Sequence, residues 1–466
     1  MSNPTESQAI AIIGAGCSGT LLATHLLKLA RGPFQIHVIE RDPTHVGRGV
    51  AYSTLEQGHL LNVPAANMSA FAYDPAHFLG WAETHPALVA NPPGPGSFLP
   101  RRVYGDYLNW ILDEALKSAR EGVQLVRHIQ KVSRLDIVAE GVSLGFADGE
   151  TLTVGQAVLA VGNFPPGNPA IADSAFYASP RYHRNPWLPG LLPALLQTEA
   201  CLLIGSGLTM VDWAVSLAAA GYQGKIHVVS RRGFWPKAHQ PADPVSFSID
   251  PAASPSTVRA WLRQIRQSIA ASHGNWRGVM DALRPHTQTL WNSLPPVEQR
   301  RFLRHLRPFW DVHRHRLAPP VADNLERLLA SGQLRRHVGT ITEYREAETE
   351  VAVAIRLRTS RTIDRIRVGA VINCSGSDSN YRRLESTLIR NLLEQGLIRP
   401  DRLALGLDVT AEGALIGNDG RPSDRLYTLG PPARGLSWET TAVPEIRNEA
   451  RRLAEWLVCG GGNADG

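Results

Sequence analysis

Three glycines, in Gly14-Ala-Gly-Cys-Ser-Gly19, follow the apolar run Ala9-Ile-Ala-Ile-Ile13. At the spacing of Gly14, Gly16 and Gly19, a chain can turn tightly after a strand and bring its backbone against a pyrophosphate. A helix opening there adds N–H donors and a partial positive charge. Glu40, about 20 residues past the last glycine, ends a second apolar stretch, Phe34-Gln-Ile-His-Val-Ile39. It is placed to accept hydrogen bonds from the hydroxyls of an adenosine ribose. A second turn, Gly205-Ser-Gly-Leu-Thr-Met210, follows Cys201-Leu-Leu-Ile204, and the next expected strand, Lys225-Ile-His-Val-Val229, ends in Ser230-Arg231-Arg232. Arginines there attract a ribose 2′-phosphate that a carboxylate would repel, so this turn reads as an NADPH site. Its expected contacts are Gly205, Ser206, Gly207, Thr209, Ser230, Arg231 and Arg232. Arginines on a solvated strand end are the competing explanation. Met210 replaces the usual third glycine or alanine, which predicts looser packing of the helix on its strand. Two nucleotide sites in one chain point to electron transfer between them.

Electrons accepted at such a pair must leave it. The four cysteines, Cys17, Cys201, Cys374 and Cys459, form no Cys-x-x-Cys or Cys-x4-Cys pair. They read as small packing residues, which removes a redox disulfide and an iron–sulfur centre as acceptors and leaves oxygen as the simplest one. The net charge of +6 is spread out, concentrating only in Arg300 to Arg316. No nucleic-acid signature accompanies it, and anionic cofactors with an acidic small substrate account for it equally well. No apolar run approaches the ~20 residues of a membrane span. The polar start, Met1 to Gln8, lacks the regions of a signal peptide, so a cytoplasmic location and no membrane partner are expected.

The elements that must position these residues form an α/β pattern in a chain of 466 residues, long enough for two or three domains. The spacing predicts a helix over 20–29 and another over 104–119, with short strands over 123–126, 132–138 and 142–146. Ala157-Val-Leu-Ala-Val-Gly162 and Ala370-Val-Ile-Asn-Cys-Ser-Gly376 are matching strand–glycine segments. A helix is expected over 209–220, strands resume near Val338, and Val351 to Leu357 alternates as a strand. Between them, about 250–335 is rich in tryptophan, arginine and helical spacing and reads as a helical insertion. Trp438 to Val443 is expected to open a last helix.

Two nested dinucleotide units resemble the two-domain flavoprotein fold. The resemblance implies an FAD-binding domain made of residues 1–190 and 366–466 and an NADPH-binding domain over 196–365. Gly49-Val-Ala-Tyr-Ser53, His59-Leu-Leu-Asn-Val-Pro-Ala65, Met68-Ser-Ala70, Arg304 to Arg316 and Trp438 to Arg447 resemble a group of bacterial FAD/NAD(P)-binding proteins related to flavin-containing and N-hydroxylating monooxygenases. On that resemblance the FAD contacts are Gly14, Gly16, Gly19, Glu40, Arg41, Asn62, Met68, Arg102, Gly162, Gly430 and Thr441. The Phe-x-Gly-x-x-x-His linker of flavin-containing monooxygenases is not intact. The corresponding stretch, Phe176 to Trp187, keeps only His183, which argues against Baeyer–Villiger or sulfoxidation chemistry.

The expected activity is FAD- and NADPH-dependent monooxygenation, with N-hydroxylation of an amine or amino acid by a flavin C4a-hydroperoxide. An NADPH oxidase or reductase without oxygen insertion, and a catalytically silent nucleotide-binding protein, remain the alternatives. Because the cofactor carries the chemistry, few protein acids or bases are required. Asn62, His183 and Arg304 are the candidate catalytic residues. Asn62 is equally a turn asparagine, His183 a linker histidine and Arg304 part of a solvated helix face. Arg101 and Arg102 could meet a phosphate or only a surface partner. His313 and His315, interleaved with Arg314 and Arg316, lack the further ligands of a metal site, and no metal is expected. The partners are a small-molecule substrate and molecular oxygen, with no nucleic acid; a homo-oligomer is compatible with the chain.

Overall fold

Ile10, Ala11 and Ile12 are wholly buried, as a continuous apolar run must be when helices cover both faces of a parallel sheet. In the computed structural model, which describes residues 8–89, 92–247, 249 and 256–459, this run is the strand β1 (Gln8–Ile13). The contacts divide the chain into two units, the first being 1–55, 64–163 and 379–466 and the second 56–63 and 164–378.

The first unit holds a six-stranded sheet. Its strands, numbered along the whole chain, are β1, β2 (Phe34–Glu40), β3 (Val123–Ile129), β7 (Gln156–Leu159), β15 (Ala414–Ile416) and β16 (Pro422–Thr428), in the order β15-β16-β7-β1-β2-β3. All neighbours are parallel except β15 and β16. A second, antiparallel sheet carries β4 (Val132–Val138), β5 (Gly141–Phe146) and β6 (Thr151–Val154). The helix Cys17–Leu29 follows β1 and buries Leu21, Leu22, Leu26 and Leu27.

The second unit repeats the pattern. Its sheet runs β13-β12-β11-β10-β9-β14-β8, with β8 (Tyr182–His183), β9 (Ala200–Ile204), β10 (Lys225–Ser230), β11 (Leu334–Glu346), β12 (Val351–Leu357), β13 (Ile363–Val368) and β14 (Ala370–Asn373). The helix Leu208–Ala219 follows β9 as Cys17–Leu29 follows β1. Between β10 and β11, helices from Val258–Ala271 to Pro319–Ala330 form the helical insertion. Its expected start at 250 lies outside the described residues, and its expected end at 335 falls inside β11.

Several boundaries differ from the sequence reading. The helix expected from 104 runs Arg101–Lys117, because Pro100 marks the residue before its first turn. The last helix runs Val443–Val458, with Pro444 in its first turn, rather than opening at Trp438. Residues 164–190 and 366–378, expected in the first domain, belong to the second unit. There β14 pairs in parallel with β9, from Ala370 opposite Cys201 to Asn373 opposite Ile204, and β8 pairs with β14. All four residues of β14 are buried, so this strand is an interior strand of the second sheet.

The duplication extends to histidines. His37 of β2 places Nδ1 3.0 Å from His128 Nε2, and His227 of β10 places Nδ1 2.9 Å from His337 Nε2. In the second pair His337 Nδ1 is 2.9 Å from Asp364 Oδ2. Burial, then the neighbouring His337 and Arg335, lowers His227 from 6.5 to about 4. The folded pKa is depressed, so the stabilising neutral form is complete above pH 6.5 and is lost as pH falls toward 4. The loss is up to roughly 3 kcal/mol at about 1.36 kcal/mol per pKa unit. His227→Gln is expected to flatten the acid side of the thermal midpoint in that window; a slope equal to wild type would contradict this.

Candidate functional sites: two glycine cradles

In each unit the first glycine of the turn lies where a side chain cannot. Gly14 has φ +107° and donates its N–H to the Ile39 carbonyl at 2.8 Å. A Cβ there would sit 2.3 Å from the Ala160 carbonyl oxygen, just past β7. Gly205 has φ +104°, donates to the Val229 carbonyl at 2.8 Å, and a Cβ there would sit 2.5 Å from the Cys374 carbonyl oxygen, just past β14. The turns are thus clamped between the second strand and the strand on the other side. Gly16 and Gly207 precede the two helices with similar extended conformations, and neither helix start is capped by a side chain. Both leave first-turn N–H groups for an anion, and the donor set fits a dinucleotide pyrophosphate.

The third position differs between the two cradles. A Cβ at Gly19 would lie 1.9 Å from the Gly14 carbonyl oxygen, so the first helix touches its own turn there. Met210 occupies the equivalent place and is wholly buried.

Glu40 is already engaged. One carboxylate oxygen accepts from Ala15 N at 3.1 Å, and the other from Arg41 N at 2.9 Å and Asp42 N at 3.3 Å. It braces the turn, and a carboxylate's roughly four acceptor positions leave room for ribose hydroxyls. The side chain of Arg41 is exposed, Met68 is buried, and Arg102 is exposed with its carbonyl 3.5 Å from Arg48 Nη1. Gly162 (φ +64°) and Gly430 (φ +75°) both take left-handed φ. A Cβ at Gly430 would meet Ser18 Oγ at 2.5 Å, which places this turn against the first helix. Thr441 is exposed, whereas Thr440 is buried and donates to Glu449 Oε2 at 2.6 Å, the same oxygen that accepts Gly430 N at 3.1 Å. Desolvation raises the Glu449 pKa above its ordinary value, against the opposing hydrogen bonds from Thr440 and Gly430. Glu449 was missed from sequence, although it stands between Ile446 and Leu453 in the apolar stripe of the last helix.

At the second cradle, Ser230 Oγ accepts from Gly233 N at 3.1 Å. Ser206 and Thr209 are half-buried in the turn and first helical turn. The two arginines have different surroundings. Arg232 donates to the Arg304 carbonyl at 3.0 Å and the His305 carbonyl at 3.1 Å, in the wide π-helical turn Phe302–Leu306. Arg231 is exposed, and Arg358 Nη1 lies 3.4 Å from its carbonyl. Arg358 follows β12, far in sequence from the glycine turn, so no local pattern marks it. Arg231→Ala is therefore expected to raise the KM for NADPH about tenfold or more and leave NADH use little changed. Arg232→Ala should instead lower thermal stability, by about 1–2 kcal/mol, through its two freed carbonyls. Equal loss with both coenzymes for Arg231→Ala would refute its role.

The candidate catalytic residues Asn62, His183 and Arg304 all fall in the second unit. The Asn62 carbonyl is 3.0 Å from His239 Nε2, in a segment also held by His59, whose Nε2 is 2.8 Å from Ser216 Oγ. His183 is half-buried in β8, and desolvation lowers its pKa. Arg304 is exposed and gives its carbonyl to Arg232. Cys201 and Cys374 are buried, Cys17 half-buried and Cys459 exposed, and all four are free thiols. Burial pushes the Cys17 and Cys201 thiols up to about 12, which suppresses thiolate chemistry. Among the described residues no helix is long and apolar enough to cross a membrane.

Known proteins resemble this chain in sequence and in fold. The chain is 27% identical over 279 residues to the nitrosuccinate-forming L-aspartate N-monooxygenase of Streptomyces davaonensis, covering 51% of this chain and 43% of that protein. It is 28% identical over 245 residues to a nitrosuccinic acid synthase of Aspergillus oryzae, covering 47% and 37%. The matches thus span less than half the length of these curated relatives. Among solved structures, L-lysine 6-monooxygenase from Pseudomonas syringae aligns with a TM-score of 0.67 at 16% identity, over 97% of this chain and 99% of that one. The ornithine hydroxylase of Pseudomonas aeruginosa aligns at 0.66 and 17%, over 98% and 100%. These structures share the fold, a pair of dinucleotide-type sheets in one chain. Residues 11–164, which include the clamped glycine turn and the strand-end Glu40, match a family model described as FAD-NAD(P)-binding.

Proposed function

We propose that this chain is an FAD- and NADPH-dependent monooxygenase that hydroxylates the nitrogen of a small amine or amino acid. The observation that carries the reading is the pair of glycine cradles with opposite strand ends, Glu40 on one and Arg231 on the other. The likeness to an L-aspartate N-monooxygenase supports the reaction class. The flavin, when bound, supplies oxygen activation after reduction by the nicotinamide.

The protein's own part is binding and orientation. Gly14, Gly16 and Gly19 bring the first turn to the FAD pyrophosphate, and Glu40 holds that turn while accepting from the ribose. Gly430, fixed by Glu449, closes on Ser18 beside the same helix start. Gly205, Ser206, Gly207 and Thr209 receive the NADPH pyrophosphate, and Arg231 its 2′-phosphate. Burial raises the Cys17, Cys201 and Cys374 thiol pKa values, so these three are not poised to divert electrons.

The test is a balance of products. With FAD-loaded protein, NADPH, oxygen and L-aspartate or another amino acid, N-oxygenated product should form in proportion to NADPH consumed. Stoichiometric hydrogen peroxide with no oxygenated product would instead make the chain an NADPH oxidase. Failure to take up FAD would leave it without either activity.

A further inference from the structure

Three groups gather on one tryptophan in the second unit. The Arg277 guanidinium lies 4.3 Å from the centroid of Trp276, the Arg316 guanidinium 6.0 Å from it, and His313 meets it edge-on at 4.8 Å. Arg316 is only 5% exposed, pairs through Nη2 with Asp281, and has a buried Nε with no hydrogen-bond partner. Arg277 donates through Nε and Nη2 to the Ala238 carbonyl, at 3.4 and 3.1 Å. Among the described residues the two guanidinium ions thus share one carboxylate, Asp281, leaving one positive charge in excess beside a buried N–H that has no partner there. An uncompensated buried donor of this kind is costly unless something binds it.

The cluster is built into the backbone. Ala238 and Leu317 form a parallel bridge, and His239 N donates to the Leu317 carbonyl at 2.8 Å, so Arg316 is held against the segment 237–239. That same segment carries His239, which holds the Asn62 carbonyl. Burial keeps the His239 pKa low, and Arg316 and Arg277 lower it further, so these groups lie within electrostatic reach of it. His239 thus links Asn62, a candidate residue from sequence, to the segment that holds Arg316.

We propose that Arg277 and Arg316, set against Trp276, bind the carboxylate of a small acidic substrate. The proposal rests on the N-monooxygenase reading and names the substrate class for it: an amino acid or amine bearing an additional anionic group. A guanidinium fork matches a carboxylate with two parallel hydrogen bonds, and its attraction also extends to phosphate, so the cofactor is the other source of the same chemistry.

The experiment is calorimetric titration of FAD-loaded full-length protein with L-aspartate, succinate and NADP+, in wild type, Arg277→Ala and Arg277→Lys. Arg277 is half-buried, and the lysine variant keeps the charge should the alanine variant fold poorly. The expected result is binding of both dicarboxylates by wild type, weakened about tenfold or more in Arg277→Ala and partly restored in Arg277→Lys, with NADP+ affinity unchanged. No dicarboxylate binding in wild type, equal binding in the variants, or a loss confined to NADP+ would overturn the proposal. Arg277-dependent dicarboxylate binding without any N-oxygenated product would keep the site and remove the enzyme reading. N-hydroxylation of L-aspartate with an unaltered KM in Arg277→Ala would do the reverse.

Discussion

Gly14→Ala is expected to yield colourless protein, with flavin absorbance near 450 nm reduced at least about tenfold relative to wild type. Two effects act at once. The residue needs φ +107°, which an L side chain rarely adopts, and the new methyl would lie 2.3 Å from the Ala160 carbonyl oxygen. Neither atom yields easily, because Gly14 is hydrogen-bonded to Ile39 and Ala160 N donates to the Ile13 carbonyl at 2.9 Å. The turn must open, and the N–H groups that meet the pyrophosphate move with it. Gly205→Ala makes the parallel clash, 2.5 Å from the Cys374 carbonyl oxygen at φ +104°. That variant should purify yellow yet fail to be bleached by NADPH. Gly149→Ala is the control: its φ is +94°, but a Cβ there meets nothing within 4 Å, so about 1–2 kcal/mol of backbone strain is its only cost. A fully flavinated Gly14→Ala protein would show that the first cradle does not hold FAD.

Glu449→Leu is the second large effect, expected to destabilise the first unit by about 2 kcal/mol or more and to lower flavin content. One carboxylate oxygen accepts from both Gly430 N and Thr440 Oγ1, and leucine leaves both donors without it. Glu449→Gln can place its amide oxygen in the same position, so it should stay near wild-type stability at acidic pH. The pH profile separates the two forms of the side chain. Desolvation raises the folded pKa of Glu449 above its ordinary 4.5. The contribution of this group is therefore complete below pH 4.5 and declines as pH rises through the raised value. Glutamine does not titrate, so Glu449→Gln should lose that decline and gain on wild type at neutral pH. Thermal midpoints from pH 4 to 8 check this; a wild-type slope that persists in Glu449→Gln would assign it to another group.

Much of the two cradles was legible because their chemistry is local. The spacing of Gly14, Gly16 and Gly19, the apolar run before them and Glu40 at the end of the next strand all lie within about 30 residues, the length of one strand–helix–strand unit. Met210 was equally readable, since only its own helix start decides whether a third glycine is required. The roles of Arg231 and Arg232 were not separable in sequence. They are adjacent and chemically identical, and only the return of Phe302–Leu306 beside β10 gives Arg232 two carbonyls and leaves Arg231 exposed. The domain limits were misplaced for a related reason. Ala157–Gly162 and Ala370–Gly376 read alike, but the first strand pairs with β1 and the second with β9.

By itself, the sequence determined the duplicated nucleotide-binding pattern, the place of each glycine turn and the contrast between an acidic and a basic strand end. These follow from backbone conformations and charges set by a few neighbouring residues. Only the tertiary structure decided that Glu449 secures Gly430, that residues 56–63 belong with the second unit, and that Arg277 and Arg316 share Trp276. Each of those joins groups tens to hundreds of residues apart, and their pairing depends on which surfaces become buried together rather than on any local propensity.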